Sequence, residues 1–111
     1  MTPEAKVKKK VVTILKKRGV YYFYPVMGGF GRSGIPDVIC CCKGHFIGIE
    51  CKAGSNKPTA LQEAEMQKIK DVGGTTLVVN ETNLDEVEQV INLIESKYGK
   101  SNDTRLGDWS N

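Results

Sequence analysis

The stretch from Val38 to Ile49 is largely apolar on both sides of a single break, Lys43-Gly44. Residues 37–42 and 45–51 are rich in Val, Ile, Cys and Phe, the composition of strands. If Lys43 and Gly44 are the central residues of a two-residue turn, they form a hairpin whose register is determined. Cys42 then faces His45, and each step outward adds one residue to each arm. Five steps on, Asp37 faces Glu50. Directly opposed side chains share a face, with Cβ atoms roughly 5 Å apart. Alternation places Glu50 and Lys52 on one face and turns Cys51 to the other. Asp37, Glu50 and Lys52 therefore converge, unless a bulge or a longer loop shifts the register.

Two carboxylates that close repel each other unless a cation or a proton intervenes. Mg²⁺, or Mn²⁺ in its place, suits such a pair because it takes hard oxygen ligands and keeps several waters. The strand also brings the Cys51 carbonyl between Glu50 and Lys52 as a third oxygen. Lys52 could orient or deprotonate an attacking water, or steady a pentavalent phosphate. Metal and lysine together suit hydrolysis of a phosphodiester. The bland reading is a cross-strand pair with Glu50 and Lys52 on a solvated face.

The 111 residues suffice for one domain with its own core, and 40% hydrophobic content is ordinary for a globular protein. No apolar stretch is long enough to span a membrane, and no signal peptide is visible, so the expected location is the cytoplasm, a host's cytosol if the source is a phage. Cys40, Cys41, Cys42 and Cys51 fit no zinc-binding spacing and read as small core residues of a reducing compartment. His45 reads as a solvated turn residue.

The net charge is only +3, but it is unevenly placed. Lys6, Lys8, Lys9, Lys10, Lys16, Lys17 and Arg18 crowd the first segment, Arg32, Lys43 and Lys57 follow, and the acids gather later. A basic front suits a DNA-contacting face, with Lys9, Lys10 and Lys57 among its contacts. A lysine-rich solvated helix face would look the same.

Thr2-Pro3-Glu4 reads as a helix start, and Val7, Val11, Ile14 and Leu15 continue it at helical spacing to Gly19. Glu4 lies on the inward stripe, either complementing the helix dipole or pointing into the carboxylate site. Val20–Tyr24 reads as a strand. The glycine-rich segment 27–34 matches no nucleotide-cradling fingerprint, but its amides, with Arg32 and Ser33, could meet a phosphate. A helix follows from about Thr59 to Val72, with Leu61, Met66 and Ile69 inward. Gln62 either closes a capping box with Thr59 or positions the site. Thr75–Val79 reads as a central, buried strand, and a last helix runs from about Asn83 to Tyr98. Residues 1–98 then form the domain and 99–111 a polar tail in which Trp109 could act as an anchor. The order predicts an α/β fold, a mixed sheet of about four strands flanked by helices.

Pro36-Asp37 followed by Glu50-Cys51-Lys52 resembles the signature of the PD-(D/E)xK nucleases, whose fold is restriction-endonuclease-like. Within that superfamily the chain is most similar to the viral-type replication–repair nuclease (VRR-NUC) domain, through Glu4, Gly34-Ile35-Pro36-Asp37, Glu50-Cys51-Lys52, Gln62 and Gly73-Gly74. The resemblance implies metal-dependent endonucleolytic hydrolysis of DNA in replication, recombination or repair. Asp37, Glu50 and the Cys51 carbonyl would hold Mg²⁺ or Mn²⁺, Lys52 would be the catalytic lysine, and Glu4 and Gln62 would complete the site. Free-standing members resemble Holliday-junction resolvases acting as homodimers on branched DNA, and larger relatives cut flaps. A non-catalytic DNA-binding module of the same fold would lack one of these residues. A cysteine-based redox protein would need paired cysteines, which the chain lacks.

Overall fold

The computed structural model of the chain describes residues 1–26 and 33–99. Helix α1 spans Pro3–Lys17, β1 Tyr21–Phe23, β2 Val38–Cys42, β3 His45–Cys51, α2 Ala60–Asp71, β4 Thr75–Val79 and α3 Asp85–Tyr98. The strands form one mixed sheet in the order β1-β2-β3-β4. The first two pairings are antiparallel, and β3 and β4 run parallel across the α2 connection. This is the α/β, restriction-endonuclease-like arrangement expected from the sequence.

The hairpin turn is two residues long. Lys43 and Gly44 both have positive φ, 50° and 79°, the conformation that matches the right-handed twist of flanking strands. Cys42 consequently pairs with His45 and Val38 with Ile49. One further step outward brings Asp37 opposite Glu50.

Alternation along β2 and β3 gives the sheet two unequal faces. Val38, Cys40, Cys42, Ile47, Ile49 and Cys51 point to the side covered by α1 and α3, where Val7, Val11, Leu15, Val87 and Ile91 complete the core. Each buried aliphatic side chain there contributes roughly 1.5–3 kcal/mol. Arg18 ties the two helices together, with Nη1 2.7 Å from Glu88 and Nη2 3.0 Å from Glu95. It is thus engaged by acids rather than free within the basic front. The opposite face carries Ile39, Gly48, Glu50 and Lys52 under α2, which contributes Met66 and half-buried Ile69.

Several expectations need correction. Among the described residues β4 is an edge strand, because no strand pairs on its far side; β2 and β3 are the inner strands. Leu61 is exposed, since the inward stripe of α2 runs through Gln62, Glu65, Met66 and Ile69, one position on. Cys41 is exposed because alternation turns it away from the core face that takes Cys40 and Cys42. His45 is half-buried rather than solvated: its Nε2 lies 2.8 Å from Thr75 Oγ1 and its ring stacks on Tyr98.

Candidate active site

Four short segments meet on the α2 face at the ends of β2 and β3. Asp37 ends the loop that enters β2, and its Oδ2 accepts the Cys51 backbone N–H at 2.8 Å. Lys52 follows β3, and its backbone N–H donates to the Val79 carbonyl at 2.9 Å, so its main chain is held by β4. Its Nζ lies 3.6 Å from Glu50 Oε2. Gln62 reaches down from the first turn of α2, and its Nε2 donates to the same Glu50 oxygen at 2.9 Å. Asp37, Glu50, Lys52 and Gln62 therefore come together as the sequence suggested, and Gln62 makes the capping box as well.

The loop carrying Asp37 is placed by close contacts that sequence reading did not single out. Gly34 has φ 85°, and a Cβ there would lie 2.5 Å from the Leu61 carbonyl oxygen and 2.9 Å from the Gln62 nitrogen. Only glycine lets the loop approach the start of α2 this closely. Two residues on, Pro36 lies against Gly48, where a Cβ would meet the proline ring at 3.0 Å and Ile69 at 2.9 Å. The legible signal for this contact was a glycine inside a strand, which marks a close approach.

Glu50 is the most strained group of the site electrostatically. It is 2% exposed, and burial with the nearby Asp37 charge raises its carboxyl from 4.5 to about 7, with Lys52 pulling the other way. Its Oε2 is engaged by Gln62 and Lys52, whereas its buried Oε1 has no hydrogen-bond partner. A buried anionic oxygen without a donor is costly, and it fits either a proton or a hard cation. The Cys51 thiol behind it is pushed up to about 12 by burial and then by Asp37 and Glu50, so it stays protonated.

Other residues singled out in the sequence lie further away. Glu4 is half-buried in the first turn of α1, and with Lys8 it acts electrostatically on Cys51. Among the described residues no three acidic, His or Cys side chains converge as a ready-made cage, so Glu4 does not close on the Asp37–Glu50 pair here. Lys9, Lys10, Ser33 and Lys57 are exposed. Lys10 lies near enough to Glu81 to help hold that carboxyl below its ordinary value, after hydrogen bonds from backbone N–H groups that include that of Gly54. Arg32 and Trp109 lie outside the described residues.

The model of the family described as archaeal Holliday junction resolvase (Hjc) matches residues 5–91. The chain belongs to the Hjc resolvase family. That match includes the sheet, Asp37, Glu50, Lys52 and Gln62, and it begins one residue after Glu4. Membership in Hjc places the chain in the PD-(D/E)xK superfamily and makes it a nuclease. A second likeness agrees in kind. Over 90 residues, 80% of this chain and 95% of the relative, this Hjc member is 29% identical to p44 of Acyrthosiphon pisum secondary endosymbiont phage 1, a protein named as a proposed nuclease. Among the described residues no helix is long and apolar enough to cross a membrane.

Proposed function

We propose that this member of the resolvase family is an endonuclease that cuts branched DNA with the help of Mg²⁺ or Mn²⁺. The observation that carries the metal requirement is the unpartnered Glu50 Oε1 beside Asp37. Asp37, Glu50 and the Cys51 carbonyl would hold the ion. Asp37 keeps one oxygen on the Cys51 N–H and has its other oxygen to offer. When bound, the ion would supply Lewis-acid activation and neutralise charge on the phosphate.

The chain's own groups do the rest. Glu50 needs to be ionised, and Lys52 and Gln62 both favour that state by facing Oε2. Lys52 sits 11% exposed at the edge of the site, so its ammonium meets the attacking water or the pentavalent phosphate in a partly dry setting. Lys9, Lys10, Lys57, Ser33 and Arg32 would contact the DNA backbone on either side, which fixes position rather than sequence.

The exposed apolar side chains Tyr21, Phe23, Phe46 and Val72 support a homodimer built on the α2 side of the sheet and the end of α2. A two-fold dimer would pair two sites for cuts across a junction. A narrower placement in the VRR-NUC branch rests on Glu4 and on Gln62 and Gly73-Gly74 around α2. Such a nuclease acts where DNA is replicated, recombined or repaired, in the cytoplasm of a bacterial cell or of a phage's host. Flap cleavage is the alternative substrate choice. The test is a side-by-side digestion of four-way junction, flap and plain duplex DNA in Mg²⁺, Mn²⁺ and chelator. Junction cleavage in either metal and none in chelator is expected. Cleavage of flaps alone would overturn the resolvase reading while keeping the chemistry.

A further inference from the structure

Gln62 makes two hydrogen bonds that only one orientation of its amide satisfies. Its Oε1 accepts the Thr59 backbone N–H at 2.8 Å, and its Nε2 donates to Glu50 Oε2 at 2.9 Å. A backbone N–H can only donate and an ionised carboxylate can only accept. Flipping the amide would set N–H against N–H and oxygen against oxygen. The Gln62 backbone is held in turn by Thr59 Oγ1, which accepts its N–H at 3.2 Å. The start of the helix therefore fixes both where Gln62 stands and which end it shows to Glu50.

We propose that Thr59 is a positioning residue of the active site, its cap of α2 holding the Gln62 amide so that Glu50 Oε2 is tied and Oε1 is left facing the site. The inference rests on the nuclease reading, and it adds a role for a residue outside the Asp–Glu–Lys signature. An N-cap ordinarily serves the helix alone. Here the same pair of residues reaches a carboxylate that is 2% exposed, so a loose cap frees the carboxylate as well as the helix end. Gly34 adds to the same lock, since its close approach to Leu61 and Gln62 sets the Asp37 loop against the capped turn.

The test separates positioning from helix stability by using three variants. Thr59→Ala removes the hydroxyl and keeps the backbone N–H. Thr59→Pro removes both, and the native φ of −73° suits proline. Ala64→Gly weakens an exposed turn of α2 without touching residue 59 or 62 and matches the loss of helix stability. Turnover on the DNA that the wild type cuts should fall roughly tenfold in Thr59→Ala, as when a partner of a metal-holding group is lost, and further in Thr59→Pro, with KM unchanged. Ala64→Gly should melt earlier yet keep its kcat. In the protein without divalent cation, the Gln62 side-chain amide protons should exchange slowly with solvent in the wild type and fast in both Thr59 variants. Equal loss of kcat in Ala64→Gly, or unchanged Gln62 exchange in Thr59→Pro, would overturn the proposal. If the wild type cuts no DNA the nuclease reading fails, and the exchange measurement still decides the lock.

Discussion

The Asp37 carboxylate accepts the backbone N–H of Cys51 at 2.8 Å, which staples the loop before β2 to the strand between Glu50 and Lys52. One hydrogen bond thus joins both halves of the hairpin at the point where the acids face each other. It also explains why the two carboxylates stay close while unlike charges are few. Asp37 has a backbone donor, and Glu50 bears the electrostatic cost.

That cost sets a pH dependence. Glu50 loses its proton near 4.5 in the unfolded chain and at about 7 in the fold. Between those values the folded state binds more protons, so stability falls as pH rises through this window. The loss is complete above about 7 and amounts to on the order of 3 kcal/mol at most. Glu50→Gln should therefore be more stable than the wild type at pH 8 and little different at pH 4. Urea denaturation of both proteins at the two pH values checks this, and a Glu50→Gln protein less stable at pH 8 would contradict it. Ca²⁺ should raise the wild-type melting temperature more at pH 8 than at pH 5, and should leave Glu50→Gln unmoved.

Gly34→Ala should lose about 2–3 kcal/mol, because the new Cβ is strained at φ 85° and strikes the Leu61 carbonyl. Cleavage should fall as well, since the loop that carries Asp37 must back away from α2. Equilibrium unfolding and turnover on one preparation test both parts. A variant of full stability would mean that the loop relaxes freely.

The turn offers the opposite sign. Lys43 holds φ 50°, which lysine adopts at a cost and Asn or Gly adopts readily. Lys43→Gly should stabilise the protein by about 0.5–1 kcal/mol without altering cleavage. A melting curve shifted downward would show that the lysine side chain contributes something the backbone does not reveal.

The thiols divide three to one. Cys40, Cys42 and Cys51 are buried, and burial raises all three above the ordinary thiol range, whereas Cys41 is exposed. Titration with a thiol reagent should label one cysteine quickly in the native state and the other three only on unfolding. Cys41→Ser should abolish the fast phase.

Much of this was legible because the hairpin is self-contained. Two apolar arms and a two-residue turn determine the pairing of Val38 with Ile49, and alternation does the rest. Gln62 was ambiguous between capping and catalysis because it does both, with different atoms of one amide. The misplaced features depend on neighbours that are distant in the chain. Whether β4 is central depends on which strand lies beyond it, and whether Cys41 is covered depends on what packs over its side of the sheet. Arg18 looked like one more cation of a basic helix, and its engagement follows from acids about seventy residues later. Helical spacing alone placed Leu61 inward, and a single position of rotation turned it out.

Lys52→Ala is the sharpest probe, because it leaves both carboxylates in place and removes one ammonium. The measurement is cleavage of a labelled four-way junction in Mg²⁺ or Mn²⁺ by wild type and Lys52→Ala, with junction binding by both followed in Ca²⁺. Metal-dependent cutting by the wild type, a loss of roughly a hundredfold or more in the variant and retained binding are expected. Wild-type activity in the presence of chelator, or a Lys52→Ala protein that cuts as fast as the wild type, would contradict a metal-and-lysine site at Asp37, Glu50 and Lys52.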